Sequence, residues 1–380
     1  MKIIVIALIV LVLALVAGAA YYAVSKQIHV PDKNDLLKSV DKRVNSLFKN
    51  QDEHAIVVGL YKEGRRETRL YGVASKETQQ PINADAVFQI GSITKVFTAY
   101  VLQKFVDDGK LTMESTLEEL IGESVTLNEK TAKITVHQLT THTSGLPRIP
   151  KSLGEMAVEL AGSEDKLMVD PYTYGSVSDI LDYLATADDT KSPGKFAYSN
   201  YGVGLLGHVL EKISGQSLEQ LFQEHIFIPF NMQTSGIVLT PEAQALLAQG
   251  YDMKGKPAGV WRFDVLGAAG AVYSNVDDML NFIEASLTVD TEANKRLETM
   301  RLPQASGRTG IGWMQPGFLD KFFGNGQYIW HNGQVGGYVS YIAINPVDKS
   351  GIVVMANRST DVTMLGIFLT RLLRSQSWGS

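Results

Sequence analysis

The chain has 380 residues, with 35 Lys and Arg against 40 Asp and Glu for a formal net charge of −5. That length holds one large domain or two intimate ones with a sizeable core, and the mixed charge carries no electrostatic footprint for nucleic acid. Cysteine is absent, which removes disulfides, thiol catalysis and thiolate metal sites and suits an exported protein.

In chain order, Ile3 to Val24 run without a charge. As a helix this stretch spans roughly 33 Å, enough to cross a bilayer. Residues 1–25 read as an uncleaved anchor, with Tyr21 and Tyr22 at the interface, or as a signal peptide cut after Ala17-Gly18-Ala19. Either reading expects membrane association of the N-terminus and a cell-envelope location, anchored in the cytoplasmic membrane with the rest outside, or secretion if the leader is removed. Residues 26–34, with Pro31, read as a linker.

Asn34 or Asp35 can cap a helix carrying Leu36, Val40, Val44 and Leu47 at helical spacing. Ala55–Tyr61 and Thr68–Val73 predict a hairpin around Lys62-Glu63-Gly64-Arg65. Ala86-Val87-Phe88 then lead through Gly91 into a long apolar helix that ends at Asp108-Gly109. From about 110 to 325 the pattern is mostly helical, with helices expected at 177–186, 202–214, 217–225 and 276–287. Residues 148–175, with Pro150 and Pro171, read as irregular, and Gly310-Ile311-Gly312-Trp313 as the start of a second strand-rich section. Tyr328–His331, Tyr338–Ile344 and Ile352–Asn357 are successive strands, the last two joined by a turn over Asn345–Gly351, and a helix over 361–374 follows. The expected fold is therefore mixed α/β: one antiparallel sheet of N- and C-terminal strands, flanked by helices, with a helical lobe inserted over roughly 110–325.

Three clusters carry chemistry. Ser92 and Lys95 stand three apart on the long helix, so they share a face. A serine in the first turn sits at the positive end of the helix dipole, and a buried lysine loses its proton readily enough to act as a base. Spacing alone does not single out this pair, since Ser39–Lys42, Ser46–Lys49, Ser163–Lys166 and Ser192–Lys195 share it. Only Ser92 joins a short apolar run to a long apolar helix. Tyr198 and Asn200 lie two apart before a helix, where a phenolate held near a lysine can serve as general base and an amide can bond both the lysine and a substrate carbonyl. Tyr273-Ser274-Asn275 repeats the same letters, but there Ser274 or Asn275 reads as a helix N-cap. His331-Asn332-Gly333-Gln334 opens a glycine-rich strand whose edge can receive an extended substrate, and the Gln334 N–H can pair with that of Ser92 as an oxyanion hole. The other histidines show no ligand spacing, so neither a metal nor a cofactor is expected.

Taken in this order, Ser92-x-x-Lys95, Tyr198-Ser199-Asn200 and His331-Asn332-Gly333 resemble the serine β-lactamase and penicillin-binding-protein superfamily, in its class C branch. Leu139–Pro147, Gly267–Gly270 and Gly351–Asn357 look like further landmarks, so the resemblance covers about 35–375 as one catalytic domain with the β-lactamase/transpeptidase-like fold. It implies Ser92 as the acylated nucleophile, Lys95 and Tyr198 sharing proton transfers, and Asn200 orienting Lys95 and the substrate amide. It places His331 in the third motif, with Gly333 beside it, and Ser92 and Gln334 N–H groups around the oxyanion. Class C β-lactamases resemble Lys-Thr-Gly where this chain has His331-Asn332-Gly333, and the neutral imidazole offers a carboxylate less attraction. His-x-Gly forms look more like DD-peptidases and esterases. The resemblance thus implies a serine hydrolase acting on a small molecule or peptide, foremost D-amino peptides such as peptidoglycan stems. The alternatives are an esterase or amidase, a β-lactamase, or a silent penicillin-binding scaffold or sensor.

Overall fold

The structure, a computed structural model, describes residues 35–49, 52–161, 169–173, 175–187, 190–289, 291–322, 326–376 and 378. The apolar run at 3–24, the linker and the Ser163–Lys166 pair lie outside them. No helix among the described residues is long and apolar enough to cross a membrane.

Helix α1 (Leu36–Leu47) starts at Asp35, whose side chain accepts the Lys38 N–H. Strands β1 (Ala55–Lys62) and β2 (Arg65–Ser75) form the expected hairpin, and β3 (Gln80–Pro81) extends it. Strand β4 (Phe88–Gln89) leads through a single 3₁₀ turn at Gly91–Ile93 into α2 (Thr94–Asp107), which stops at Gly109 with φ +70°. The inserted lobe contributes α3 (Lys151–Ala161), α4 (Val177–Thr186) and α5 (Asn200–Ser214), besides shorter turns of helix. Strand β5 (Tyr273–Ser274) pairs with β4, and α6 (Val276–Leu287) and α7 (Glu292–Met300) follow. The chain closes with β6 (Ile329–Val335), β7 (Tyr338–Asn345), β8 (Ser350–Ala356) and α8 (Thr363–Ser375).

The main sheet has the order β3-β2-β1-β8-β7-β6 and is antiparallel throughout. Its two sequence-distant halves meet where β1 pairs with β8, from Ile56 opposite Ala356 to Lys62 opposite Ser350. Side chains alternate between faces along β1 and β8. Ile56, Val58, Ile352 and Val354 pack under α1 and α8 with Leu36, Val40, Leu365 and Leu369. Val57, Val353 and Met355 face the other way, into the larger core shared with Phe97, Val101, Met279 and Ile283 of α2 and α6. This mixed architecture, an antiparallel sheet flanked by helices, is the one expected.

Two local expectations fail. Residues 151–161 form helix α3 rather than irregular chain, because Pro150 immediately precedes its first turn, where a missing N–H costs nothing, and Leu153 and Ala157 recur four apart on its buried side. Gly310–Trp313 is a tight turn and not a strand. Gly310 N–H donates to Trp313 O at 2.8 Å, Gly312 adopts φ +72°, and Trp313 is buried. Only Met314 reaches the sheet, bridging Trp330 at the outer edge of β6.

Candidate active site

The turn that delivers Ser92 is forced by close packing. Gly91 has φ +52°, and a Cβ there would sit 2.8 Å from the Gln334 N atom. Gly333 fits beneath it with its Cα against the Ile90 carbonyl, which accepts a hydrogen bond from Ser340 Oγ at 2.7 Å. Two glycines thus let the turn that carries Ser92 lie against the edge of β6.

That edge presents its backbone to the turn. Val335 and Tyr338 flank the two-residue Gly336-Gly337 turn, and residues in that position exchange both ladder hydrogen bonds. Alternation then directs the N–H and C=O of Gln334, Asn332 and Trp330 away from β7. Trp330 shows the consequence, since its N–H and C=O bond Met314 at 3.1 and 2.8 Å. Gln334 N–H therefore points from the free edge toward Gly91 and Ser92, whose own N–H lies in a first helical turn where such groups lack helical partners.

Lys95 is buried on the same face of the helix, with 1% of its surface exposed. Its Nζ lies 3.0 Å from Ser92 Oγ and donates to the carbonyl of Ala269 at 2.6 Å. Among the described residues no carboxylate bonds it, so burial holds the ammonium well below its usual pKa, with the Arg148 charge adding to the effect. Tyr198 reaches the same hydroxyl, and burial pushes its phenol up to about 12 against the opposing bond to Ser92. Lys95 Nζ thus donates to both Ser92 Oγ and Ala269 O. The directions of the two shifts are opposite: burial favours the protonated phenol of Tyr198 and disfavours the charged form of Lys95, which makes the lysine the better placed of the two to take a proton.

Neighbouring groups hold Tyr198 in place. The His142 ring lies against it at 4.3 Å between centroids, tilted by 33°. Ser199 N–H donates to His142 Nδ1 at 3.2 Å, which fixes the imidazole proton on Nε2, and burial keeps the ring neutral. The hydroxyl of Ser199 caps α5 by accepting the Gly202 N–H at 2.8 Å. His331 is 2% exposed, with its Nδ1 2.7 Å from the Asn332 carbonyl, and burial drives its pKa down to about 3. The third motif therefore carries no positive charge at any pH where the protein would work.

The structure gathers Ser92, Lys95, Tyr198, His331, Gly333 and Gln334 at one place, between the sheet edge and the helical lobe. Asn200 stands at the start of α5 beside them but does not bond Lys95. Its Nδ2 donates to the Tyr172 hydroxyl at 2.7 Å, and its Oδ1 is buried without a partner. Tyr172 in turn stacks on Phe263, with ring centroids 4.5 Å apart. The implied Asn200–Lys95 contact is thus replaced by an aromatic wall, and the free Oδ1 is left as an acceptor. Tyr273, the look-alike, lies elsewhere with its hydroxyl on Val238 O, while Asn275 caps α6. Sequence reasoning missed His142, Arg148 and Tyr172. The landmark run Leu139–Pro147 contains the first and adjoins the second, but Tyr172 sits in a stretch with no periodic signal.

Comparison with known proteins identifies the family. Residues 40–367 match the beta-lactamase family. A beta-lactamase of Pseudomonas fluorescens is 24% identical, the match covering 86% of this chain and 94% of that protein. The D-alanyl-D-alanine-carboxypeptidase/endopeptidase AmpH of Escherichia coli strain K12 is 26% identical over 84% and 83% of the two chains. Among solved structures, the beta-lactamase/D-alanine carboxypeptidase from Pseudomonas syringae superposes with a TM-score of 0.74 at 22% identity, covering 89% of this chain and 98% of that one. The octameric penicillin-binding protein homologue from Pyrococcus abyssi gives 0.73 at 25% identity, over 90% and 78%. The chain belongs to the beta-lactamase family, within the serine β-lactamase and penicillin-binding-protein superfamily.

Proposed function

We propose that this serine hydrolase acts through an acyl-enzyme on Ser92 and cleaves D-amino peptides of the cell-wall type. The observation that carries the reading is the buried amine of Lys95, 3.0 Å from Ser92 Oγ, with no carboxylate partner among the described residues and its charged form disfavoured by burial. Lys95 takes the hydroxyl proton as Ser92 Oγ attacks the substrate carbonyl, and the N–H groups of Ser92 and Gln334 receive the oxyanion. Tyr198, a phenol at rest, donates its proton to the leaving amine and recovers one from Lys95. Water then enters the vacated position and attacks the ester carbonyl, its proton passes through Tyr198 to Lys95, and that proton returns to Ser92 Oγ as the acyl–oxygen bond breaks and the acid leaves. Asn200 Oδ1, buried and unpartnered, supplies an acceptor for a substrate amide N–H.

The neutral His331 weighs against efficient β-lactam turnover, because the third motif lacks the ammonium that would attract the lactam carboxylate. The likeness to a carboxypeptidase/endopeptidase supports the peptide reading. The apolar N-terminal run supports a place in the cell envelope. Labelling with a fluorescent penicillin and with a fluorophosphonate tests the nucleophile: both labels should vanish in Ser92→Ala, and a label that persists there removes Ser92 from the role. Turnover of D-Ala-D-Ala peptides, short acyl esters and a chromogenic cephalosporin by the same preparation tests the substrate. The peptides should be processed fastest, and a dominant cephalosporinase activity would overturn the peptide assignment. Fractionation of cells tests the location, since recovery of the whole protein from the cytoplasm would exclude the envelope.

A further inference from the structure

The third motif holds no cation, yet the cleft has one from another source. Arg148 directly follows the Gly145-Leu146-Pro147 loop, and its carbonyl accepts the N–H groups of both Asn200 and Tyr201 at 3.0 Å. Its backbone is therefore pinned to the first turn of α5, next to Tyr198 and Asn200. The side chain is exposed, with its guanidinium carbon 5.3 Å from the centre of the Tyr198 ring. No carboxylate pairs with it among the described residues. Its charge is felt by the reacting groups: after burial it is what depresses Lys95, and it opposes the burial that raises Tyr198 and Tyr172. The guanidinium thus lies over Tyr198, two residues before Asn200, whose Nδ2 is held by Tyr172 and whose Oδ1 is buried without a partner.

An unpaired guanidinium over an aromatic ring, at the mouth of a water-excluding site, is a receptor for carboxylate or phosphate. We propose that Arg148 selects substrates carrying an anionic group on the acyl portion, adjacent to the amide that Asn200 receives. The inference rests on the acyl-enzyme reading above and adds to it a substrate class and a specificity residue. It also explains how a site with a neutral third motif can still favour an acid, since the cation has moved from the sheet edge to the helical lobe.

The test uses two penicillins that differ by one carboxylate on the acyl side, carbenicillin and benzylpenicillin. Acylation rates of the full-length protein are read by competition with a fluorescent penicillin, and the quantity of interest is the ratio of the two rates. Arg148→Gln should lower the carbenicillin-to-benzylpenicillin ratio by about five- to twentyfold, the scale of one charge-assisted contact partly screened by solvent. Arg148→Lys should recover part of it, and the wild-type ratio should shrink as salt is raised to about 0.5 M. A purely structural role for Arg148 would slow both acylations and leave the ratio unmoved, and that result overturns the proposal. If penicillins do not react but a fluorophosphonate does, p-nitrophenyl hydrogen adipate and its methyl ester supply the same ratio by hydrolysis. Wild type inert to all of these refutes the hydrolase reading itself, and the selectivity proposal with it.

Discussion

Gly333→Ala separates the oxyanion geometry from the rest of the site. A methyl group at this position would collide with the Ile90 carbonyl and lie 2.5 Å from Ser340 Oγ. Neither neighbour can yield cheaply, because one is main chain and the other is committed to that same carbonyl at 2.7 Å. The edge of β6 must therefore move away from the nucleophile turn by several tenths of an ångström or more, carrying the Gln334 N–H with it. Overpacking of this kind costs about 1–3 kcal/mol, with roughly 1 kcal/mol more if the Ser340 bond breaks. Loss of one oxyanion donor lowers kcat by about 10²–10³. Acylation by a fluorescent penicillin, followed at a temperature where thermal melting shows the variant folded, should slow by that factor. Gly154→Ala is the control. A methyl group there meets nothing within 4 Å on α3, so it should leave activity unchanged and add up to about 1 kcal/mol. A folded Gly333→Ala protein that acylates within about threefold of wild type would refute the placement of Gln334 N–H in catalysis.

Three other outcomes follow from the same geometry. Tyr198→Phe should lower turnover by about 10²–10⁴ while the protein still melts cooperatively, and unchanged turnover would eliminate proton transfer through that phenol. Lys95→Met should abolish acylation yet raise the melting temperature at pH 7: the unfolded chain binds the lysine proton more tightly than the folded one, so the wild type recovers stability as pH rises toward the ordinary lysine value of 10.5, and the two proteins should converge there. Melting curves across pH 7–10 check this, and a destabilised Lys95→Met protein at pH 7 would contradict the lowered pKa. His331, neutral in the fold down to about pH 3 but protonated below about 6.5 when unfolded, should make wild-type stability fall as pH drops through that window, and His331→Asn should flatten the acid limb of the melting profile.

The chemistry of this chain was legible where it depends on residue type at fixed spacing. Ser92 and Lys95 stood out from four pairs of the same spacing because only they join a short apolar run to a long apolar helix, whereas helix capping does not separate the two Tyr-Ser-Asn segments, since Ser199 caps α5 as Asn275 caps α6. That one antiparallel sheet joins N- and C-terminal strands was readable because β1, β7 and β8 are apolar runs with punctuated turns, while the strand order was not. What escaped depended on contacts between segments far apart in sequence. The side chain of Asn200 turns to Tyr172 because a stacked pair of rings brings a phenol within reach, and no local pattern near 172 announces it. His142 looked like any buried histidine until the loop 142–148 folded back on 197–201. Helix α3 was hidden by Pro150, which reads as a breaker but acts as a starter.

Lys95 is steadied by the main-chain oxygen of Ala269, not by an acid side chain. A main-chain oxygen survives every substitution at its own position that preserves the path of the backbone. Descendants of such a protein can exchange the walls of the cleft, gaining or shedding a guanidinium here and a ring there, without losing the group that keeps the amine in register. Diversity of substrates around one inherited proton circuit is the natural outcome of anchoring that circuit to the polypeptide itself.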